Sequence, residues 1–397
     1  MTDWPVKTLG EVCDLVGGGT PSKDRPEFYG GEIPWATVRD LNVEVLRSTE
    51  HSITVEAVNS SSSNIIPSGS VVIATRVGLG KAVIVAQDTA INQDLRGLVV
   101  KKPKELMAEY LYWWYLSTVH LVVAAGTGAT VQGVKLPFVS GLAIPVPPLE
   151  EQKRIVELLD NATARVAELT ACYEQARTHA NNLFTSALRD ALESNPDWPI
   201  RSLGEVCDFV RGVTYDKADA RSEMKSGFIP LLRATNITEK GLLRDDFVFV
   251  PKNGVRADQK LISGDALITI ASGSASVVGR SVLVEDPGEM TFGAFCGVLR
   301  PRPEILPRYL SHFMSSRSVR AAWSEAAQGT NINNLKRDDI LQTECLLPPL
   351  EEQKRIVARL DSMKAKTSEM VAAYDAKLTV AKNLRQSILE SAFAGDL

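Results

Sequence analysis

PPLEEQKRIVELLD at residues 147–160 and PPLEEQKRIVARLD at residues 348–361 are one helix start written twice, identical at twelve of fourteen positions. Two prolines end whatever precedes them, and Glu150 and Glu151 then fall in a first helical turn, where carboxylates meet the positive end of the helix dipole. Apolar residues follow at alternating steps of four and three: Ile155, Leu159, Ala162, Val166, Leu169, Tyr173, Ala176, Ala180, Leu183 and Ala187. That is a heptad seam. Adding 201 gives Ile356, Leu360, Met363, Thr367, Met370, Tyr374, Lys377, Ala381, Leu384 and Ile388, the same seam weakened at Thr367 and Lys377. Asn195-Pro196 closes the first helix.

Working outward, the segments before each helix are also copies. WPVKTLGEVCDLVGG at 4–18 and WPIRSLGEVCDFVRG at 198–212 agree at ten of fifteen positions. Weaker echoes lie between: Ile33-Pro34 with Ile229-Pro230, Ser68-Gly69 with Ser263-Gly264, and Tyr110-Leu111 with Tyr309-Leu310. The matched blocks are near-identical while the stretches between them differ, so one scaffold carries two different surfaces. In each copy, short β-branched runs bounded by Gly, Pro and Ser read as strands (Val71–Thr75, Ala82–Ala86 and Leu98–Val100; Ala266–Ile270, Ser281–Val284 and Gly297–Arg300). Helices follow near Lys104–Ser117 and Pro307–Ser315, with Trp113, Trp114 and Tyr115 at core spacing.

The expected fold is α+β: two pseudo-symmetric α/β domains, 1–146 and 197–347, separated by a long antiparallel two-helix coiled coil, 147–196 and 348–397. Periodicity alone leaves the helix direction open. The chain must leave the first helix, build a domain and return, and a pseudo-twofold arrangement then makes the pair antiparallel. A helix of this span is about 65 Å long, more than the roughly 34 Å between same-facing major grooves one turn apart.

Composition narrows the function. The chain has 397 residues, 44% apolar and 23% charged, with net charge −4. An indiscriminate nucleic-acid binder is usually basic. Residues 201–347 nonetheless hold 19 basic and 18 acidic side chains, so basic patches fit on a near-neutral domain. No apolar leader opens the chain, and Leu111–Ala125 is too short and polar for a membrane span, so a cytoplasmic location is expected. Cys13, Cys172, Cys207, Cys296 and Cys345 lack CxxC spacing and read as buried free thiols, and His51, His120, His179 and His312 have no metal spacing. No metal site and no catalytic residue is expected. Asn195-Pro196-Asp197-Trp198 departs from an adenine methyltransferase signature at its third position and reads as a linker turn. Gly78-Leu79-Gly80-Lys81-Ala82 lacks the rest of a phosphate loop and reads as a turn between strands. Gly126-Thr127-Gly128 follows a helix, which disfavours a cofactor fingerprint, and Gly17-Gly18-Gly19 reads as a flexible turn.

The doubled PPLEEQKRIV block, the openings WPVKTLGEVCDLVGGGTPS and its second version at Trp198, IPWATVRDLN at 33–42 with IPLLRATNIT at 229–238, and the ending LRQSILESAFAGDL resemble the conserved regions of type I restriction–modification specificity subunits. The resemblance covers essentially the whole chain. It implies a non-catalytic subunit whose two domains are target recognition domains, each reading half of a bipartite site in double-stranded DNA. The helices would set the unread spacer and dock two adenine methyltransferase subunits, and restriction/translocase subunits would join. S-adenosylmethionine, ATP and Mg would belong to those partners, none to this chain. A coiled-coil scaffold that binds proteins at both ends is the alternative, and a methyltransferase or nuclease in its own right is a third.

No base-reading residue carries over by motif, so the candidates come from chemistry: Arg, Asn, Gln, Ser and Thr for base edges, Lys and Arg for phosphates. On turns near the repeated scaffold points these are Arg39, Arg76, Lys81, Asn92, Gln93 and Arg96, with the loop Thr127, Thr130, Gln132 and Lys135, in the first copy. In the second they are Arg233, Thr235, Asn236, Ser272, Ser274 and Arg280, with the loop Gln328, Thr330, Asn331, Asn333, Asn334 and Lys336.

Overall fold

A computed structural model describes residues 4–128, 133–193, 195, 197–239, 241–327 and 333–395. The chain divides into two units, residues 1–174 with 376–397, and residues 175–375. Each of the two 45-residue helices, Leu149–Glu193 and Leu350–Ala394, therefore contributes one part to each unit.

In the first unit a five-stranded sheet runs in the order Cys13–Gly17, Leu95–Val100, Val71–Ala74, Ala82–Val85, Val45–Leu46. Leu98 lies between Leu15 and Val71 in antiparallel register. Side chains alternate across a strand. Val71, Ile73, Ala82, Ile84 and Leu98 accordingly enter a core with Tyr110, Trp114 and the helices. Val72, Ala74, Val83, Val85 and Leu95 enter a second core on the opposite face, with Ala36, Ile66 and Ile91. Both faces are covered, which is why VVIA and AVIV read as unbroken apolar runs. A second sheet, ordered His51–Ile53, Tyr29–Ala36, Thr89–Ile91, Asn64–Ile66, supplies part of that other cover.

The second unit repeats the plan with strands Cys207–Arg211, Cys296–Pro301, Ala266–Thr269 and Ser281–Leu283. Phe228–Leu232 pairs in parallel with Thr291–Phe292, as Tyr29–Ala36 does with Thr89–Ile91. Gly18 and its counterpart Gly212 are not loose turns. A Cβ on either would lie 2.2 Å and 2.1 Å from the carbonyl oxygens of Ile91 and Gly293, so each glycine permits a close backbone crossing.

The helices pair antiparallel within each unit. In the first, Ile155, Val156 and Leu159 share a core with Leu389 and Ala392, and Phe393 packs edge-on to Tyr110. In the second, Leu188, Ala191 and Leu192 share a core with Ile356 and Leu360. The buried line departs from the expected heptad. Leu169, Leu183, Met370 and Leu384 are 47%, 51%, 38% and 46% exposed. After Val166 and Thr367 the line takes a second step of four, and half-buried Thr170, Phe184, Val371 and Leu378 replace Leu169, Leu183, Met370 and Lys377. Val166, Tyr173 and Ala180, like Thr367, Tyr374 and Ala381, keep the seven-residue spacing, so only the position between them moves by one residue. Displaced from the seam, Lys377 sets its ammonium 5.3 Å from the Tyr173 ring centroid. The other expected seam residues, Ala162, Tyr173, Met363, Tyr374 and Ile388, are half-buried.

The doubled motif has a local account. Lys153 and Arg154 pair with Glu150 and Glu151 at 2.9 and 2.8 Å, and Lys354 and Arg355 pair with Glu351 and Glu352 at 2.7 and 3.3 Å. The glutamine between them turns inward. Gln152 accepts from Met107 N at 2.9 Å and donates to Glu105 O and Pro147 O, both at 2.8 Å. Met107 precedes the helix Ala108–Ser117, so this amide ties that helix to the long one.

No helix among the described residues is long and apolar enough to cross a membrane. Cys13, Cys207, Cys296 and Cys345 are buried, and burial pushes the first three thiols up to about 12. Cys172 is exposed because it lies off the seam, contrary to the expectation of a buried thiol.

Candidate nucleic-acid interface

The same loop pair meets in both units. In the first, the turn after Val71–Ala74 bridges to the second candidate loop: Arg76 pairs with Gly133, and Val134 N donates to Thr75 O at 2.9 Å. In the second, Ala271 and Ser272 pair with Asn334 and Asn333, and Leu335 N donates to Ile270 O at 2.8 Å. Segments 57 to 63 residues apart in sequence are thus brought side by side twice. Thr130, Gln132, Gln328, Thr330 and Asn331 lie outside the described residues.

Many of the expected contact residues spend their groups inside the fold. Asn92 is buried, accepting from Asp94 N and donating to its carboxylate. Asn236 is buried, accepting from Arg233 N at 2.8 Å and donating to Leu243 O and Asp245 O. In both, the amide closes its own turn, and Asn92 also lines the cleft beside Arg39. Lys81 donates to Val38 O and Asn42 Oδ1, and Arg280 donates to Ile237 O and lies 3.7 Å from Glu239. These two bases follow Gly80 and Gly279 and brace a neighbouring loop in their own units. Arg233 is tied to Asp246, Arg96 to Gln93 O and Leu95 O, and Arg76 lies 3.9 Å from Asp94. Gln93 is exposed and accepts from Thr20. Asn333 donates to Ser272 O and Gly273 O at 3.4 and 3.3 Å. Ser272 accepts from Ser274 N.

Exposed groups remain at Thr127, Thr235, Ser274 and Asn334. Arg39, Lys135 and Lys336 are exposed, and their charged ends have no hydrogen bond or ion pair among the described residues. Among the expected cations, these three keep their charged ends free.

Arg39 borders a cleft of about 730 Å³ in the first unit, lined also by Lys23, Tyr29, Trp35, His51 and Val77. Trp35 is held by its indole N–H, which donates to Gly19 O at 3.2 Å. Val77 has φ of +45° and is half-exposed. A β-branched residue in that region is strained, and such strain gathers at functional loops. The sequence reading missed Lys23, Trp35 and His51. The IPWATVRDLN block was the available signal, since Trp35 and Arg39 both stand in it.

The helix-side walls differ between copies in one seat. Trp113 donates to Asp160 Oδ1 at 2.8 Å, and His312 Nε2 lies 2.8 Å from Asp361 Oδ1. Burial holds the His312 ring below its ordinary pKa, although Asp361 opposes this. His312 is therefore the neutral donor near pH 7.

Comparison with known proteins agrees with this duplicated plan. The chain matches the family described as "Type I restriction modification DNA specificity domain" over residues 1–175 and 195–379. It is 40% identical over 200 residues to the EcoKI specificity subunit of Escherichia coli (strain K12), a match covering 50% of this chain and 43% of that protein. The StySPI specificity subunit of Salmonella potsdam is 38% identical over the same shares. The chain thus spans less than half the length of these two relatives. The MjaIX specificity subunit of Methanocaldococcus jannaschii is 24% identical over 100% of this chain and 94% of its own. Among solved structures, a chain from work on complex assembly and conformational transition of the type I R-M system superposes with a TM-score of 0.82 at 24% identity, covering 99% of this chain and 98% of that one. The HsdS subunit from Thermoanaerobacter tengcongensis gives 0.60 at 23% identity, over 100% and 98%. With its fold repeated twice and both repeats matched, the chain belongs to the type I restriction–modification DNA specificity family.

Proposed function

We propose that this chain is the non-catalytic reader of a bipartite site in double-stranded DNA, each unit recognising one half. One observation carries the reading: two copies of a scaffold, alike at the helix starts and sheet openings, hold different loops at the same place. Ser272, Asn333 and Asn334 lie on the paired segments of the second unit, and Arg76, Thr127 and Gly133 on those of the first. Such side chains suit base edges, and Arg39, Lys135 and Lys336 suit phosphates. The long helices set the number of unread base pairs, and their exposed faces dock two adenine methyltransferase subunits. Restriction/translocase subunits complete the assembly in the cytoplasm. S-adenosylmethionine, ATP and Mg are bound by those partners.

The test is co-expression with the cognate methyltransferase subunit in a host free of adenine methylation, followed by mapping of methylated adenines. The expected result is one two-part motif with a fixed gap. An unmodified genome despite confirmed assembly overturns the reading. A protein-only scaffold would assemble with partners and leave no motif.

A further inference from the structure

In the second unit the turn Gly293-Ala294-Phe295 joins the strand Thr291–Phe292 to Cys296–Pro301. The Phe295 carbonyl accepts from Ile270 N at 2.9 Å and Ala271 N at 3.2 Å. The Asp94 carbonyl of the first unit accepts from Thr75 N and Arg76 N at 2.9 and 3.2 Å. Register confirms the equivalence, because Leu95 lies opposite Ala74 as Cys296 lies opposite Thr269. One node of the scaffold thus carries an acid in one copy and a phenyl ring in the other.

The two side chains behave differently. The Asp94 carboxylate accepts from Asn92 Nδ2 at 3.3 Å and faces Arg76. Phe295 is 62% exposed, while Phe292 and Cys296 on either side are fully buried. An isolated exposed apolar residue is ordinary. This one is set apart by its anchorage and its company. Its backbone is clamped by two amides, and the Ala271–Ser272 segment that clamps it pairs with Asn333 and Asn334. The ring therefore projects from a fixed backbone point beside the strand pair that carries Ser272, Asn333 and Asn334. On the major-groove edge of DNA the C5-methyl of thymine is the one apolar feature.

We propose that Phe295 is a specificity-determining residue of the second unit, packing against a thymine methyl group in the half-site that unit reads. The inference rests on the DNA-reading function proposed above. At the matching node, Asp94 offers the first unit an acceptor instead, so the two halves differ in the base each admits there.

The experiment uses the full chain assembled with its methyltransferase subunits. The methylated motif is mapped for the wild type and for Phe295→Ala, and binding is measured on duplexes carrying thymine or deoxyuridine at each thymine of both half-sites. Phe295→Ala should relax one position of one half-site and leave the other half unchanged. Deoxyuridine at that position should weaken the wild-type complex about fourfold, the worth of one buried methyl, and leave the variant's affinity nearly unchanged. An unaltered thermal midpoint for this exposed residue shows that folding is intact. The inference is overturned if the variant's motif equals the wild type's, if deoxyuridine affects both proteins equally or neither, or if neither half-site contains a thymine. Absence of any two-part motif for the wild type would instead defeat the DNA-reading function itself.

Discussion

Gln152 and Gln353 make the same three hydrogen bonds, each within its own unit. Gln353 accepts from Leu306 N at 2.8 Å and donates to Glu304 O and Pro348 O at 2.9 and 2.8 Å, repeating the contacts of Gln152. Both are fully buried. Replacing either by Leu leaves a buried N–H and two carbonyls without partners, at about 1–3 kcal/mol for each group that water cannot reach. Gln152→Leu and Gln353→Leu should each cost about 3 kcal/mol in urea unfolding. Gln152→Ala, which admits water, should cost less.

The register of the helices is testable by two adjacent residues. Leu183 belongs to the strict heptad but is 51% exposed, whereas Phe184 packs into the second unit's core and against His312. Leu183→Ala should change stability by about 0.5 kcal/mol or less. Phe184→Ala should cost about 2 kcal/mol or more. Equal effects in denaturant midpoints would restore the heptad reading.

How far the residues alone lead is clear from this pair. The helix starts were legible because prolines, acidic first turns and an apolar stripe each have a local cause. The strands were legible where both faces are buried. The antiparallel pairing followed from connectivity. The extra step of four after Val166 was not legible, because Leu169 and Leu183 are as apolar as their buried neighbours and only helical geometry separates them. The interface was harder still. Asn92, Asn236, Lys81 and Arg280 have the chemistry of DNA-reading residues, but their partners are backbone and side-chain groups within their own units. Phe295 carried no signal at all, since an exposed apolar residue reads as core.

His312 makes the second unit sensitive to acid. Burial, opposed by Asp361, holds its folded pKa below the ordinary value. The unfolded chain then takes up the proton first as pH falls below about 6.5. Stability is fully present above that pH and declines below it until the folded ring also titrates. Thermal midpoints at pH 7 and pH 5 should show a larger drop for the wild type than for His312→Gln.

Asp265 is fully buried and is met by Arg300 through two bonds, Nε to Oδ1 at 2.8 Å and Nη2 to Oδ2 at 2.9 Å. It also accepts from Ile262 N at 2.9 Å. Arg300→Met strands a buried carboxylate and should cost about 3–5 kcal/mol. The double variant Arg300→Met, Asp265→Asn should recover part of that loss, read in the same unfolding experiment.

Arg39 offers an unpaired guanidinium beside the cleft of the first unit. In the assembled complex, Arg39→Ala should weaken DNA binding across sequences and reduce the slope of log affinity against log salt by about 1. A change in the methylated motif with an unaltered slope would show base contact instead.

The division of each long helix between the two units bears on how the protein is made. The core that seats Tyr110 is closed by Phe393, 283 residues later. A ribosome releases Tyr110 long before Phe393 exists, so the domain translated first is completed last and waits through the synthesis of the second with part of its apolar wall bare. A nonsense mutation near residue 376 would therefore injure the fold hundreds of positions upstream, leaving the neighbouring unit's own residues all in place.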